Sequence, residues 1–454
     1  MIRDLRVDVR QWWNNDAAAN RDLTGSVDML RDGALAVVEE IPIEWGSPSA
    51  LAHDEPQTMT VILRSHVPPD QAVYPWGDTR GLWGALLTVG GRLANGTWCE
   101  WKGWVQEIEV EKRRKHLADD TSVYPWRWVL KCVDAIGRAA GLKTGYVRRD
   151  WEHPRTRLQA LSNSVGHAVP IDYQDVPSAG GYAELAVRAR DEWNANYLEL
   201  IQRTALAGES FVRSGSDWLN CYREPGSEVD FRTRPITMRY SDGTPIALSP
   251  DWLREAPRAI NRQSRFNKAT YSFFELETRY ENTENPSIQL VKFDWQDRSR
   301  SWDSDTQDWT SSELSLTSDA YQQAATLRLD WICYRATRTA TALWQLPEVD
   351  VLHARTPADV LARLIRVPER SKAVVDLVPP APAIERTQRV IGGTLVLTPD
   401  PKRQKLTLRL APMSTIFDTQ VWWRLLAERQ WDLRWRDTGT VRWSHLSNLR
   451  EIDL

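Results

Sequence analysis

Period-two alternation, recurring near both ends of the chain, limits the fold more than any other feature. In the first part, "TMTVILRSHV" (58–67) and "WVQEIEVEK" (104–112) alternate apolar and polar residues and are rich in β-branched side chains. Between them "GGRLANGTW" (90–98) supplies the turn chemistry of a hairpin. In the last part, "RVIGGTLVLTPDPKRQKLTLRLAPM" (389–413) reads as a second hairpin, turning on Pro-Asp-Pro-Lys, with Leu406, Leu408 and Leu410 along one face. Alternation of this kind buries one side of each strand and wets the other, so each stretch needs a sheet with a core. Residues 24–135 are therefore predicted to be β-rich.

The period lengthens between these stretches. In "YPWRWVLKCVDAIGRAAGLKTG" (124–145), Val129, Val133, Ile136 and Ala140 fall at helical spacing and Gly141 stands as a stop, which predicts a helix closing the first unit. A second helix is predicted over 192–206, with Trp193, Tyr197, Leu200, Ile201 and Thr204 on one face, running into two short strands and a Ser-Gly-Ser turn over 208–224. Strands follow at 268–280 and 287–295, then a polar loop over 297–313. A helix after Thr317 or Ser318 carries Ala324, Leu327, Trp331 and Tyr334 on a stripe. Another spans 356–365, with Thr356 as N-cap, Pro357 in the first turn and Asp359 completing the cap. The expected class is β-rich α+β, divided into 1–145, an α+β middle over 146–255, a second β unit with helical insertions over 256–415, and a Trp-rich extension over 416–454. The only internal repeat is "VYPW" at 73–76 and 123–126, which does not establish a duplication.

Composition removes several function classes. A net charge of −3 opposes a protein that coats DNA or an anionic membrane, because those partners select a basic face. The opening "MIRDLRVDVRQWWNNDAAAN" lacks the apolar core of a signal peptide and no long apolar run occurs, so the chain is read as made and folded in a cytoplasm. Cys99, Cys132, Cys221 and Cys333 are too widely spaced for a disulfide framework or a metal motif and read as buried thiols.

Catalytic signatures are absent too: no glycine-rich phosphate loop, no G-x-S-x-G and no H-E-x-x-H. His53, His66, His116, His153, His167, His353 and His445 stand singly, without an i, i+4 partner to share a metal. Asp303, Asp305 and Asp308 supply oxygen ligands without the glycine and terminal glutamate of a calcium loop, so a solvated loop is the simpler reading. "EKRRKH" (111–116) reads as a charged hairpin tip. Paired carboxylates of the glycosidase type have no fixed spacing and stay open. No cofactor and no metal is expected.

What remains is tryptophan. The chain has 24 against seven phenylalanines, so its aromatic mass sits in a side chain frequent at interfaces. "VWWRLLAERQWDLRWRDTGTVRW" (421–443) places Trp422, Trp423, Trp431, Trp435 and Trp443 among Arg424, Arg429, Arg434, Arg436 and Arg442. Stacking on sugars or on bases needs an exposed aromatic platform. Leu425, Leu426 and Leu433 among them would make an exposed strip an aggregation liability, which favours burial against a partner protein over sugar binding or an ordinary packed element.

The order of features is also distinctive: "VYPWGDTRGLWGALLTVGGRLANGTWCEWKGWVQEIEV" (73–110), then "VLKCVDAIGRAAGL", then "LELIQRTALAGESFVRSGSDWLNCYRE" (198–224), then "SDAYQQAATLRLDWICYRATR" (318–338), and last "LTLRLAPM" (406–413). This resembles the tail hub proteins, or minor tail proteins, of long-tailed phages of actinobacteria, and the baseplate hub family of phage tails. The matching residues are Trp101, Gly103 and Val105, then Leu198 to Gly208, then Leu406 to Pro412. The resemblance implies two tube-like β-barrel domains flanking the smaller α+β domain, so that a homotrimer offers six barrels to a sixfold tail tube. It further implies a structural, non-enzymatic virion protein, assembled in the host cytoplasm into the tail of a siphophage and serving host cell entry. Implied partners are the distal tail or tail tube protein, the tape-measure protein and tail tip or fibre proteins, with DNA only in transit. A carbohydrate-binding adhesin or receptor-binding tail protein is the alternative reading, and a cell-wall hydrolase a more distant one.

Overall fold

The computed structural model describes residues 2–10, 21–22, 36–47, 53–65, 82–112, 126–144, 147–149, 152–166, 168–173, 187, 190–192, 194–207, 210–215, 219–223, 246–255, 268–281, 289–301, 313–317, 348–351, 355–365, 374–377 and 387–412. In chain order the elements are β1 (Ile2–Arg10), β2 (Arg21–Asp22), β3 (Ala36–Gly46), β4 (Thr58–Ser65), β5 (Leu86–Leu93), β6 (Trp98–Lys112), β7 (Trp126–Val133), α1 (Ala135–Ala140), β8 (Val147–Arg149), α2 (Pro154–Ser164), β9 (Ile171–Asp172) and β10 (Arg190–Glu192). Then come α3 (Tyr197–Ala207), β11 (Ser210–Ser214), β12 (Leu219–Arg223), β13 (Ile246–Ala247), β14 (Lys268–Glu281), β15 (Gln289–Ser301), β16 (Glu313–Thr317), β17 (Glu348–Val351), α4 (Ala358–Ile365), β18 (Val374–Asp376), β19 (Thr387–Leu397) and β20 (Lys405–Pro412). Among the described residues the protein is β-rich with few helices.

One 12-stranded sheet dominates, and it joins the two ends of the sequence. Its path runs β2, β1, β5, β6, β7, β4, β3, β19, from which β20 and β17 continue on one side and β18 and β13 on the other. The alternation read from the sequence sets which side is buried. Val61 and Leu63, Leu87 and Val89, Trp128 and Leu130, and Leu406 and Leu408 are buried in one core shared by both parts of the chain. The sheet curls as a half-barrel, and a side chain links strands near its two ends. Ile2 N–H donates to Gln404 Oε1 at 3.0 Å, and Gln404 Nε2 donates to Ile2 O at 2.8 Å, so one amide satisfies both backbone groups of the first residue of β1. Gln404 precedes β20, after the turn in which the Asp400 carboxylate accepts from Lys402 N–H at 3.0 Å.

The seam between the two parts is the β3–β19 ladder, from Gly392 opposite Gly46 to Leu397 opposite Ile41. Here the backbones come unusually close. A Cβ on Gly392 would lie 2.5 Å from Trp45 O, and Gly46, at φ +107, faces the Gly392 backbone directly. Glycine on both strands is what lets this pair form. Trp45 then lies over Gly393, filling the space a side chain would take.

A second core lies beside the sheet, built from α1, α2, α3 and β11 with Trp104 of β6. Tyr197, Leu200, Ile201 and Thr204 are buried along α3 as their spacing predicted, but the helix starts at Tyr197 rather than 192, because Glu192 pairs in β10 with Val147 of β8. The two strands expected after it are β11 and β12, paired antiparallel from Ser210 opposite Arg223 to Ser214 opposite Leu219. The Trp101, Gly103, Val105 motif also has a packing reason. Trp101 and Val105 are core residues, and a Cβ on Gly103 would meet Cys132 Cβ of β7 at 2.9 Å.

Two local expectations are corrected. Val129 and Val133 belong to strand β7, with Trp128, Leu130 and Cys132 facing the core at period two, and the helix begins only after Asp134. The Asp134 carboxylate caps it by accepting from Gly137 N–H at 3.1 Å. The polar segment expected to be a loop from 297 starts as strand, since β15 runs to Ser301 opposite Lys268. Long-range pairing overrode a helix-like apolar spacing in β7 and a locally polar composition at the end of β15. The helix expected after Thr317 or Ser318 lies outside the described residues.

The glycine seam yields an expectation. Gly46→Ala should cost about 3 kcal/mol or more, because it combines positive-φ strain with a backbone clash. Gly96→Ala, at φ +84 with open space around it, should cost about 1 kcal/mol. Urea denaturation of the two variants checks the ranking.

Candidate functional site

The tryptophans singled out in the sequence, Trp422, Trp423, Trp431, Trp435 and Trp443, lie outside the described residues, as do Asp303, Asp305 and Asp308. Among the described residues no group of three or more His, Cys, Asp or Glu could hold a metal ion, and no helix is long and apolar enough to cross a membrane. Cys99 and Cys132 are buried thiols outside any disulfide, and burial pushes the Cys132 thiol well above its ordinary range. His153 stands at the N-terminus of α2 and is lowered by burial, then by Arg155.

His53 is different, for it belongs to a buried polar clamp that fastens the second core to the sheet. Its Nδ1 accepts from Val212 N–H of β11 at 2.9 Å, and Asp54 N–H donates to Val212 O at 3.0 Å. The Asp54 carboxylate accepts from Arg213 Nη1 at 2.9 Å through Oδ1 and from Ser214 N–H at 3.0 Å through Oδ2. Arg213 and Asp54 are each only 4% exposed at the side chain. The same segment reaches two further places. Glu55 N–H donates to Gly46 O at 3.0 Å, at the seam, and Asp134 N–H donates to Gln57 O at 3.2 Å, ahead of α1. Five residues therefore tie the seam, the small module and the start of a helix together. Nothing in the residue pattern announced this, because His53 and Arg213 lie 160 positions apart with no motif at either.

The outer face of the sheet carries a ladder of charges across four neighbouring strands. Glu39 of β3 holds Arg64 of β4 at 2.8 Å and Arg127 of β7 at 3.3 Å, and Arg127 reaches Glu111 of β6 at 3.2 Å. Lys131 of β7 bonds Glu109 at 2.6 Å and Glu107 at 3.2 Å. The hydrogen bond from Lys131 holds the Glu109 carboxyl below its ordinary value. These pairs are exposed enough that each contributes at most about 1 kcal/mol, so their weight lies in surface pattern. Glu111 and Lys112, predicted to sit at a hairpin tip, end strand β6, and the rest of that basic run is outside the described residues. Trp83 (63% exposed), Trp98 (41%) and Val110 (39%) are the exposed large apolar side chains among the described residues.

With this geometry in hand, the comparisons with known proteins are informative at the level of fold. No family model and no curated protein matches the sequence. Solved structures do. The 43 kDa tail protein of prophage MuSo2 from Shewanella oneidensis is similar over 91% of this chain and 99% of its own, at 11% identity and TM-score 0.51. The tail protein from Neisseria meningitidis is similar over 90% and 96%, at 10% identity and TM-score 0.49. A component of the type VI secretion system of E. coli is similar over 83% and 74%, at 6% identity and TM-score 0.41. The chain thus has the fold of a phage tail protein, and nearly its whole length takes part in the likeness.

The clamp makes stability depend on pH in a definite direction. Burial, and secondarily Arg213, lowers His53 from 6.5 to about 3. Between those values the unfolded chain binds a proton at this position and the folded chain does not, so stability falls as pH falls through that window, by up to about 1.4 kcal/mol per pH unit. Above pH 6.5 both states are neutral and the contribution is full and flat. His53→Asn should flatten the slope, as urea midpoints measured from pH 7 to pH 4 would show; an unchanged slope would mean that other groups cause it.

Proposed function

We propose that this chain is a structural tail hub protein, which connects the sixfold tail tube of a long-tailed phage to the tail tip. The observation that supports the reading is that the fold of the MuSo2 prophage tail protein is shared over 91% of this chain and 99% of that protein. The order of sequence features, which resembles that of actinobacteriophage tail hubs, supports a position at the hub. In this reading the chain contributes two tube-like barrels, one of them built on the curled sheet that strands of 2–133 and 348–412 share. Three chains then present six barrels to the tube as a closed homotrimer. The distal tail or tube protein lies on one side, the tape-measure protein in the lumen and tip or fibre proteins on the other. The chain is assembled into the virion tail in the host cytoplasm, and its role is non-catalytic. Mass photometry on the assembled ring checks the stoichiometry, where three copies are expected and six would overturn the proposal.

Residues 416–454 serve in this reading as a docking extension, with Trp422, Trp423, Trp431, Trp435 and Trp443 as anchors. Large aromatic anchors carry most of an interface's energy, and truncating one typically costs about 2 kcal/mol or more. Trp431→Ala with Trp435→Ala should therefore reduce incorporation into tails while the chain stays folded. Normal tails that no longer adsorb to host cells would instead identify the strip as a receptor-binding surface.

A further inference from the structure

Trp98, the first residue of β6, is 41% exposed although its ring is seated on the sheet. A Cβ on Gly90 would lie 2.1 Å from Cζ2 of that ring and 2.8 Å from Cε2 and Cη2, so the indole fills the space above a glycine and buries it. A side chain at position 90 would displace the ring. Gly90 and Arg92 are two residues apart on β5 and share a face, so the ring reaches diagonally across β5 beside Arg92. One side of the indole is held by backbone, and the exposure belongs to the other.

The register places charge beside this ring. Arg92 stands opposite Trp98 of β6 on one side and opposite Arg3 of β1 on the other, which makes a row of Arg3, Arg92 and Trp98 about 10 Å wide across three strands. Both arginines are exposed and neither forms an ion pair among the described residues, whereas Lys102 bonds Glu100 at 3.4 Å further along β6. Like charges directly opposite one another destabilise a sheet. An anion held between the two guanidinium groups removes that cost and gains hydrogen bonds of the strong, charge-assisted kind. From Ile2 to Val9 and from Leu86 to Lys102, Arg3, Arg6, Arg92 and Lys102 outnumber Asp4, Asp8 and Glu100 by one, in a chain whose net charge is −3.

The surroundings select among anions. Along this stretch β5 is paired with β1 and with β6, so its backbone groups are engaged on both sides and offer a peptide main chain nothing to pair with. A long polyanion such as a nucleic acid would meet a chain of net negative charge, with Glu107, Glu109 and Glu111 further along β6. The ligand that fits is small, with a flat apolar side for the indole and one negative group for the arginines. We propose that Trp98, Arg92 and Arg3 bind an acidic sugar unit, its ring stacked on the exposed side of Trp98 and its carboxylate between the two arginines. The site uses none of residues 416–454, and it goes beyond the hub proposal without depending on it.

Isothermal titration of the full chain with tetragalacturonate, maltotetraose and tetraglutamate tests the site. Tetragalacturonate should bind roughly tenfold more tightly than maltotetraose, which has the rings without the carboxylates, or tetraglutamate, which has the carboxylates without the rings. Because the chain carries 24 tryptophans, the comparison with Trp98→Ala locates the stacking, and that change should weaken tetragalacturonate roughly tenfold. Arg3→Gln with Arg92→Gln should weaken tetragalacturonate to a similar degree and leave maltotetraose unchanged. Absence of tetragalacturonate binding, or an affinity that the substitutions do not alter, would overturn the proposal. Equal affinity for tetraglutamate would overturn it in favour of an acidic protein partner, and tighter binding of a tetranucleotide in favour of a nucleic acid. Should Trp98→Ala fail to fold, the arginine pair decides alone, since both side chains are exposed. Tail incorporation tests the hub reading separately, so the two can fail independently.

Discussion

Everything in the large sheet depends on the close approach of two backbones at Gly46 and Gly392. Each strand of that pair carries one part of the protein with it. β3 brings β4, β7, β6, β5 and β1, and β19 brings β20, β17, β18 and β13. No side chain intervenes at the closest point, so the ladder hydrogen bonds can form without a bulky contact holding the strands apart. The shared core follows from this join, because Val61 and Leu406 can belong to one apolar interior only if their strands belong to one sheet. The Gln404 amide on Ile2 is a consequence of the same curl.

The clamp at His53 to Gln57 extends this dependence outward. Backbone groups of the segment bond to Gly46 at the seam, to Val212 of the small module and to Asp134 ahead of α1. The Asp54–Arg213 pair adds direction more than energy, for a buried ion pair gives up hydration that its attraction only partly returns. Its two backbone-linked partners on β11, Arg213 and Ser214, fix the carboxylate in one orientation. Two cores that could have been loosely tethered are thus held in register.

Much of this architecture was legible where burial is one-sided. Leu406, Leu408 and Leu410, Val61 and Leu63, and the face of α3 declared themselves by period, because each faces a core on one side and water on the other. β7 misled because its Val129 and Val133 also fit a helical stripe that ends in the true helix α1, and only the pairing with β4 and β6 decides between the periods. The end of β15 misled because a long hairpin carries polar residues further than local propensity suggests. The clamp was invisible in sequence for a plain reason. A lone histidine, an aspartate and an arginine acquire meaning only when β11 is laid against the segment before β4.

The distance in sequence between Gly46 and Gly392 also sets a clock. On a ribosome adding about 5–20 residues per second, β3 emerges roughly 17–70 s before the strand that will lie beside it has been made. During that wait the edge of β3 that β19 will occupy stays open to any strand it meets. Glu39, Glu40 and Glu44 are spread along β3 on or near solvent, and charge on an edge strand discourages pairing with strangers. The glutamates that pair with Arg64, Arg127 and Arg409 in the finished sheet thus also put charge on this edge while its neighbour does not yet exist.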